Sequence, residues 1–136
     1  LVFVYGTLKP GFRYYLVAQQ AGAFTQQPGW LEGFELYHLS PENYPALRPG
    51  QGRVYGWCYR YEDIERALPV LDALEGVHCE PPEYYRVQVR CQPSGEVAWV
   101  YLYRDLARLA SESARRVESG NWQPEAEGGR LPRGLT

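Results

Sequence analysis

The chain lacks any apolar run near the ~20 residues that a transmembrane helix needs, and no basic-then-apolar leader opens it. Positive charge is not clustered, and the formal net charge is −2. Nucleic acid and acidic membranes are thereby excluded as expected partners. Cysteine is scarce: Cys58, Cys79 and Cys91 form an odd set at irregular spacing. That argues against a disulfide framework and for a reducing compartment, the cytoplasm. Internal repeats and low-complexity tracts are missing, so the 136 residues read as one domain. A chain of this size buries roughly 68% of its unfolded surface, enough for a core. It begins at Leu1, which leaves open whether residues precede it.

Aromatic residues are what the chain has in plenty, with twelve tyrosines and four tryptophans. They suit an aromatic-rich β core, a pocket rimmed with hydroxyls, or both. Val2 to Tyr5 reads as a buried strand, and Arg13 to Gln20 as one or two helical turns. Trp30 to Leu39 reads as a strand broken at Gly33. Asn43 to Leu47 is short and extended, and Pro49-Gly50 predicts a turn. Arg53 to Tyr61 alternates like a strand. Tyr85, Val87, Val89 and Cys91 share one face of another strand. Pro93-Ser94-Gly95 turns that strand into Val97–Arg104 as a hairpin. Asp105 to Glu118 has helical composition with Asp105 as its cap. The expected domain is 1–122, followed by a loosely ordered, Gly- and Pro-rich tail, 123–136. About six strands and two or three short helices follow, an α+β set able to close into a small barrel or a strongly curved sheet.

Two places carry chemistry. Val2-Phe3-Val4-Tyr5-Gly6-Thr7-Leu8-Lys9-Pro10-Gly11 is an apolar strand that breaks at Gly6 into a tight loop. Backbone N–H groups in such a loop have no ladder partners and can converge on an anion or a carbonyl oxygen. The second place is Ala67 to Gly76, a short helix with Pro69 expected in its first turn and Gly76 as its C-terminal cap. At ~100° per residue Glu75 falls about 40° from Leu71, in or beside the apolar arc of Val70, Leu71 and Leu74. It also sits at the helix end where the dipole disfavours an anion. Both effects raise its pKa toward that of a general base working near neutrality. The competing reading is a frayed last turn with Glu75 in water. Asp72 falls farther toward the polar side.

Tyr5-Gly6-Thr7-Leu8, then Leu71-Asp72-Ala73-Leu74-Glu75-Gly76, then Tyr84-Tyr85-Arg86, resemble in order the γ-glutamyl cyclotransferase-like superfamily. Asn43-Tyr44-Pro45-Ala46-Leu47 and Val54-Tyr55-Gly56 add to the match. Ser119-Gly120-Asn121-Trp122 looks like the closing segment of small bacterial members. The resemblance implies a small mixed β-barrel with short flanking helices and a cavity at one end. It implies that Tyr5, Gly6, Thr7 and Leu8 hold a γ-glutamyl group, that Glu75 is the catalytic acid/base, and that Tyr84 and Tyr101 line the pocket. The implied reaction is an acyl-transfer, lyase-type cyclisation: the substrate's α-amine attacks its own γ-carbonyl, 5-oxoproline forms and an amine leaves. The partner is then a small γ-glutamyl molecule, and neither a cofactor nor a metal is expected. The chain departs from the family in two places. Val77-His78-Cys79-Glu80-Pro81-Pro82-Glu83 is a longer, more acidic insert that reads as a rim or lid. Arg13-Tyr14-Tyr15 stands where the family often has an Asn.

Other readings compete. The barrel is either a non-catalytic binder of a small metabolite or an amide hydrolase using the same pocket. His78, Cys79 and Glu80 suggest a metal site, but adjacent residues rarely converge on one ion. Cys58 reads as a small core residue, with pairing to His38 or His78 as a nucleophile unsupported by spacing. Lys9 and Arg13 either attract a substrate carboxylate or begin a solvated helix.

Overall fold

The computed structural model describes residues 1–125. Its centre is β1 (Val2–Val4), buried at every position. A run without polar alternation suits a strand covered on both faces. Around it stands one six-stranded mixed sheet of order β4-β5-β1-β3-β2-β6, in which β1 pairs antiparallel with β3 and parallel with β5. The members are β2 (Phe24–Leu39), β3 (Tyr44–Tyr61), β4 (Tyr84–Cys91), β5 (Glu96–Tyr103) and β6 (Ala114–Arg116), joined by α1 (Tyr15–Gln20), α2 (Ile64–Leu74) and α3 (Leu106–Leu109). The sheet curls until Trp30 of β2 exchanges backbone hydrogen bonds of 2.8 and 3.1 Å with Gln92, just past β4. This half-barrel is the mixed, helix-flanked sheet expected.

Period-two alternation of side chains sorts the interior into two cores. Val2 and Val4 join Tyr59, Leu71 and Tyr101 beneath α1 and α2. Phe3 joins Leu31, Leu36, Leu47, Val100 and Trp122 on the other side.

The structure corrects four local expectations. Pro49-Gly50 is no turn: β3 runs unbroken through it, with Pro49 opposite Phe34 and a bulge at Glu32/Phe34. Around Pro49, among the described residues, β2 is the strand that pairs with β3, the edge setting in which proline is tolerated. The segment 105–118 forms one helical turn, capped by Asp105, and then adds β6 to the end of β2. Pairing with an open edge outweighs weak helical propensity there. Helix α2 starts at Ile64, capped by Asp63, so Pro69 lies inside the helix rather than in its first turn. Gly76 does end it, at φ 66°. Finally, Cys58 and Cys91 are joined in a disulfide across 33 residues, leaving Cys79 free and exposed. Curling of the sheet brings these strands together. No sequence spacing signals that pairing. Of the tail expected over 123–136, Glu125 accepts hydrogen bonds from Ser40 and from the Nε2 of His38. Residues 126–136 lie outside the described residues.

Candidate active site

The chain leaves β1 through Tyr5 and folds back at once, with the Lys9 amide donating to the Gly6 carbonyl at 3.0 Å. Gly6 lies against Pro45 so closely that a Cβ would overlap the proline ring. Among the described residues, the amides of Gly6, Thr7 and Leu8 find no acceptor. Three consecutive main-chain donors are thus held by the turn and left open.

Opposite them ends α2. Glu75 is its C-terminal cap residue, anchored by its amide to the Leu71 carbonyl at 3.0 Å. Its side chain touches the cavity and is otherwise surrounded by protein, and among the described residues no group donates to its carboxyl. Burial, then the nearby charges of Glu83 and Asp72, push its pKa up to about 8. Desolvation and like charge act in the same direction, both favouring the neutral acid.

A cavity of about 570 Å³ lies between loop and helix. All seven residues singled out in the sequence border it: Glu75, Tyr5, Gly6, Thr7, Leu8, Tyr84 and Tyr101. The tyrosines do more structural work than a hydroxyl rim implies. Tyr5 donates to the Tyr101 carbonyl at 2.6 Å, Tyr84 to the Pro45 carbonyl at 2.6 Å, and Tyr101 to Asp72 Oδ1 at 2.7 Å. Asp72 is buried rather than on the polar side. It accepts from Arg86 Nε at 2.6 Å and Nη2 at 3.1 Å, while the Arg86 guanidinium lies 4.5 Å from the Trp99 ring centre.

Sequence reasoning missed the outer wall. Glu83 accepts from the Tyr44 hydroxyl at 2.9 Å. Arg108 of α3 grips both carboxylate oxygens of Glu42 and donates to the Ser40 carbonyl at 3.2 Å. Glu83 closes the acidic insert, so the expectation of a rim there signalled it. Nothing in the sequence pointed to Glu42 or Arg108, which meet across 66 residues.

Lys9 has neither of the roles expected. The Lys9 ammonium is buried and donates to the Trp122 carbonyl at 2.8 Å and to Asn121 Oδ1 at 3.2 Å. Burial lowers its pKa to about 8. Trp122 Nε1 donates in turn to His38 Nδ1 at 3.1 Å, which puts the histidine proton on Nε2, facing Glu125. The closing segment is therefore strapped beneath the loop. Arg13 donates to the Asn43 carbonyl. His38 is engaged on both nitrogens and Cys58 is in its disulfide, so neither forms the nucleophile pair considered. His78, Cys79 and Glu80 are exposed, and among the described residues no three His, Cys, Asp or Glu side chains gather as a metal site. No helix among them is long and apolar enough to cross a membrane.

Known proteins resemble this chain in sequence and fold. Residues 2–124 match the family described as gamma-glutamyl cyclotransferase, AIG2-like. A provisionally named gamma-glutamylcyclotransferase of Vibrio cholerae is 38% identical over 125 residues, covering 90% of this chain and 94% of its own. The gamma-glutamylcyclotransferase family protein YtfP of Escherichia coli is 33% identical over 124 residues, covering 89% and 94%. An AIG2-like protein from mouse, solved as a crystal structure, superposes with a TM-score of 0.70 at 28% identity, over 96% of this chain and 92% of that one. Sequence and curled sheet agree from β1 past Trp122, and the chain belongs to the gamma-glutamyl cyclotransferase, AIG2-like family.

Proposed function

We propose that this chain cyclises a γ-glutamyl amine or γ-glutamyl amino acid to 5-oxoproline and releases the amine, with Glu75 as general acid/base. The observation that carries this reading is that Glu75, with a desolvated carboxyl to which no described group donates, and three residues with open main-chain amides border one cavity of about 570 Å³. That volume suits a small molecule. The substrate's α-amine nitrogen attacks its own γ-carbonyl carbon and forms the new C–N bond, while Glu75 accepts the amine proton. The carbonyl oxygen becomes an oxyanion opposite the Gly6, Thr7 and Leu8 amides, where fixed donors lower the barrier. Collapse breaks the bond to the departing nitrogen, and Glu75 returns the proton to it. One carboxyl serves both transfers because a pKa near 8 lets it take and give a proton near neutrality. The nucleophile comes from the substrate, so no activated Ser or Cys is required. The walls hold amine and carbonyl in contact, which supplies much of the rate.

The test is incubation of the protein with a panel of γ-glutamyl amines and γ-glutamyl amino acids. Release of 5-oxoproline supports the proposal. Release of glutamate instead makes the protein an amide hydrolase, and ligand binding without either product makes it a binding module.

A further inference from the structure

Six tyrosines line the cavity, and five have their hydroxyls engaged by protein. Tyr5, Tyr84 and Tyr101 donate as described above, Tyr44 donates to Glu83 and Tyr103 accepts from Arg108 at 3.4 Å. Tyr14 differs: among the described residues its hydroxyl has no hydrogen-bond partner. Its position is nonetheless fixed. The Tyr14 amide donates to the Thr7 carbonyl at 2.9 Å, and its carbonyl accepts from the Val17 amide at 2.9 Å to start α1. The Arg13 guanidinium lies 5.7 Å from its ring centre. An open phenol is therefore held beside the loop that carries the open amides, and it borders the same cavity as Glu75.

We propose that Tyr14 contacts the substrate, donating a hydrogen bond to the α-carboxylate of the γ-glutamyl group. The assignment rests on the cyclotransferase reading. A γ-glutamyl group brings three polar parts into the cavity. Its α-amine needs an acceptor, which Glu75 provides. Its γ-carbonyl oxygen needs donors, which the loop amides provide. Its α-carboxylate needs a further donor. Arg108 is committed to Glu42, and Lys9 to Asn121 and Trp122. Among the described residues the hydroxyls of Tyr14 and Thr7 remain, and Thr7 stands within the run of amides assigned to the γ-carbonyl oxygen, which leaves Tyr14 for the carboxylate. Burial raises its pKa, Arg13 lowers it and Glu75 raises it, for a net rise, so the phenol keeps its proton and can donate.

Tyr14→Phe removes this hydroxyl and keeps the ring and the backbone bonds. Tyr15→Phe is the matched control, because the Tyr15 hydroxyl donates to Gln26 at 2.7 Å on the exposed surface. Titration calorimetry on the full chain compares 5-oxoproline, which carries the carboxylate, with 2-pyrrolidinone, which lacks it. Tyr14→Phe is expected to weaken 5-oxoproline about tenfold, as for a hydrogen bond to a charged group, and to leave 2-pyrrolidinone unchanged. KM for the γ-glutamyl substrate rises in parallel, and Tyr15→Phe matches the parent. Unchanged 5-oxoproline affinity in Tyr14→Phe, with the parent still cyclising, overturns the Tyr14 assignment alone. Equal weakening of both ligands overturns the carboxylate contact. A parent that neither binds 5-oxoproline nor forms it overturns this inference together with the cyclotransferase reading.

Discussion

The last turn of α2 presents two carboxylates to two different regions, three residues apart. Asp72 enters the packed side, where Arg86 and Tyr101 supply three hydrogen bonds. Glu75 enters the cavity, where among the described residues nothing donates to it. The packed side is built like most of the protein, with each buried polar group given a partner. On the cavity side, Glu75 and the Gly6–Leu8 amides are left without protein partners among the described residues. The Lys9–Trp122–His38–Glu125 strap shows that this chain can pair even a buried ammonium. The residues that carry these open groups border one cavity, where a ligand would complete them.

This contrast can be broken from either side. Glu75→Gln has the largest expected effect: turnover to 5-oxoproline falls about 100-fold or more, while the melting temperature does not fall. Loss of stability with little loss of turnover would make Glu75 a structural acid like Asp72. Arg86→Met should do the reverse. It leaves Asp72 buried without its cation and lowers unfolding free energy by about 3 kcal/mol, read by urea denaturation. A variant as stable as the parent would show that Asp72 does not depend on its pairing.

A further test concerns pH. Glu75 holds its proton up to about 8 in the folded chain, against 4.5 as the ordinary value. Between those values the folded state binds more protons than the unfolded one, so this group's contribution to stability declines as pH rises from 4.5 to about 8 and is level beyond. Glu75→Gln lacks that decline. The stability gap in favour of the variant should open across this window and then stay constant. A gap independent of pH would mean that Glu75 titrates like an exposed carboxylate.

Much of this arrangement was legible before folding was considered. The strand–loop junction at Gly6 and the apolar-arc position of Glu75 are local patterns, set by residues a few positions apart, and the fold preserves them. Pro49 misled because proline punctuates loops in general, whereas an edge of β3 accommodates it here. The segment 105–118 misled because its composition suits a helix, while the open end of β2 offered it a ladder. Asp72 misled because helical angle places it toward the polar side, while Arg86 from β4 and Tyr101 from β5 make its burial affordable. The outer wall was illegible for the same reason: Arg108 meets Glu42 across 66 residues and Tyr44 meets Glu83 across 39.

The sequence by itself determined the residue types and the short-range geometry: a glycine where the chain must turn against its neighbour, and an acid at the wrong end and on the wrong face of a helix. These follow from backbone sterics and helical periodicity, which need no distant partner. Tertiary structure decided which hydroxyls are engaged and which is left open, which carboxylate gains a cation, and that loop and acid share one cavity. Those outcomes depend on curling of the sheet, which brings residues distant in sequence within hydrogen-bonding range and excludes water between them.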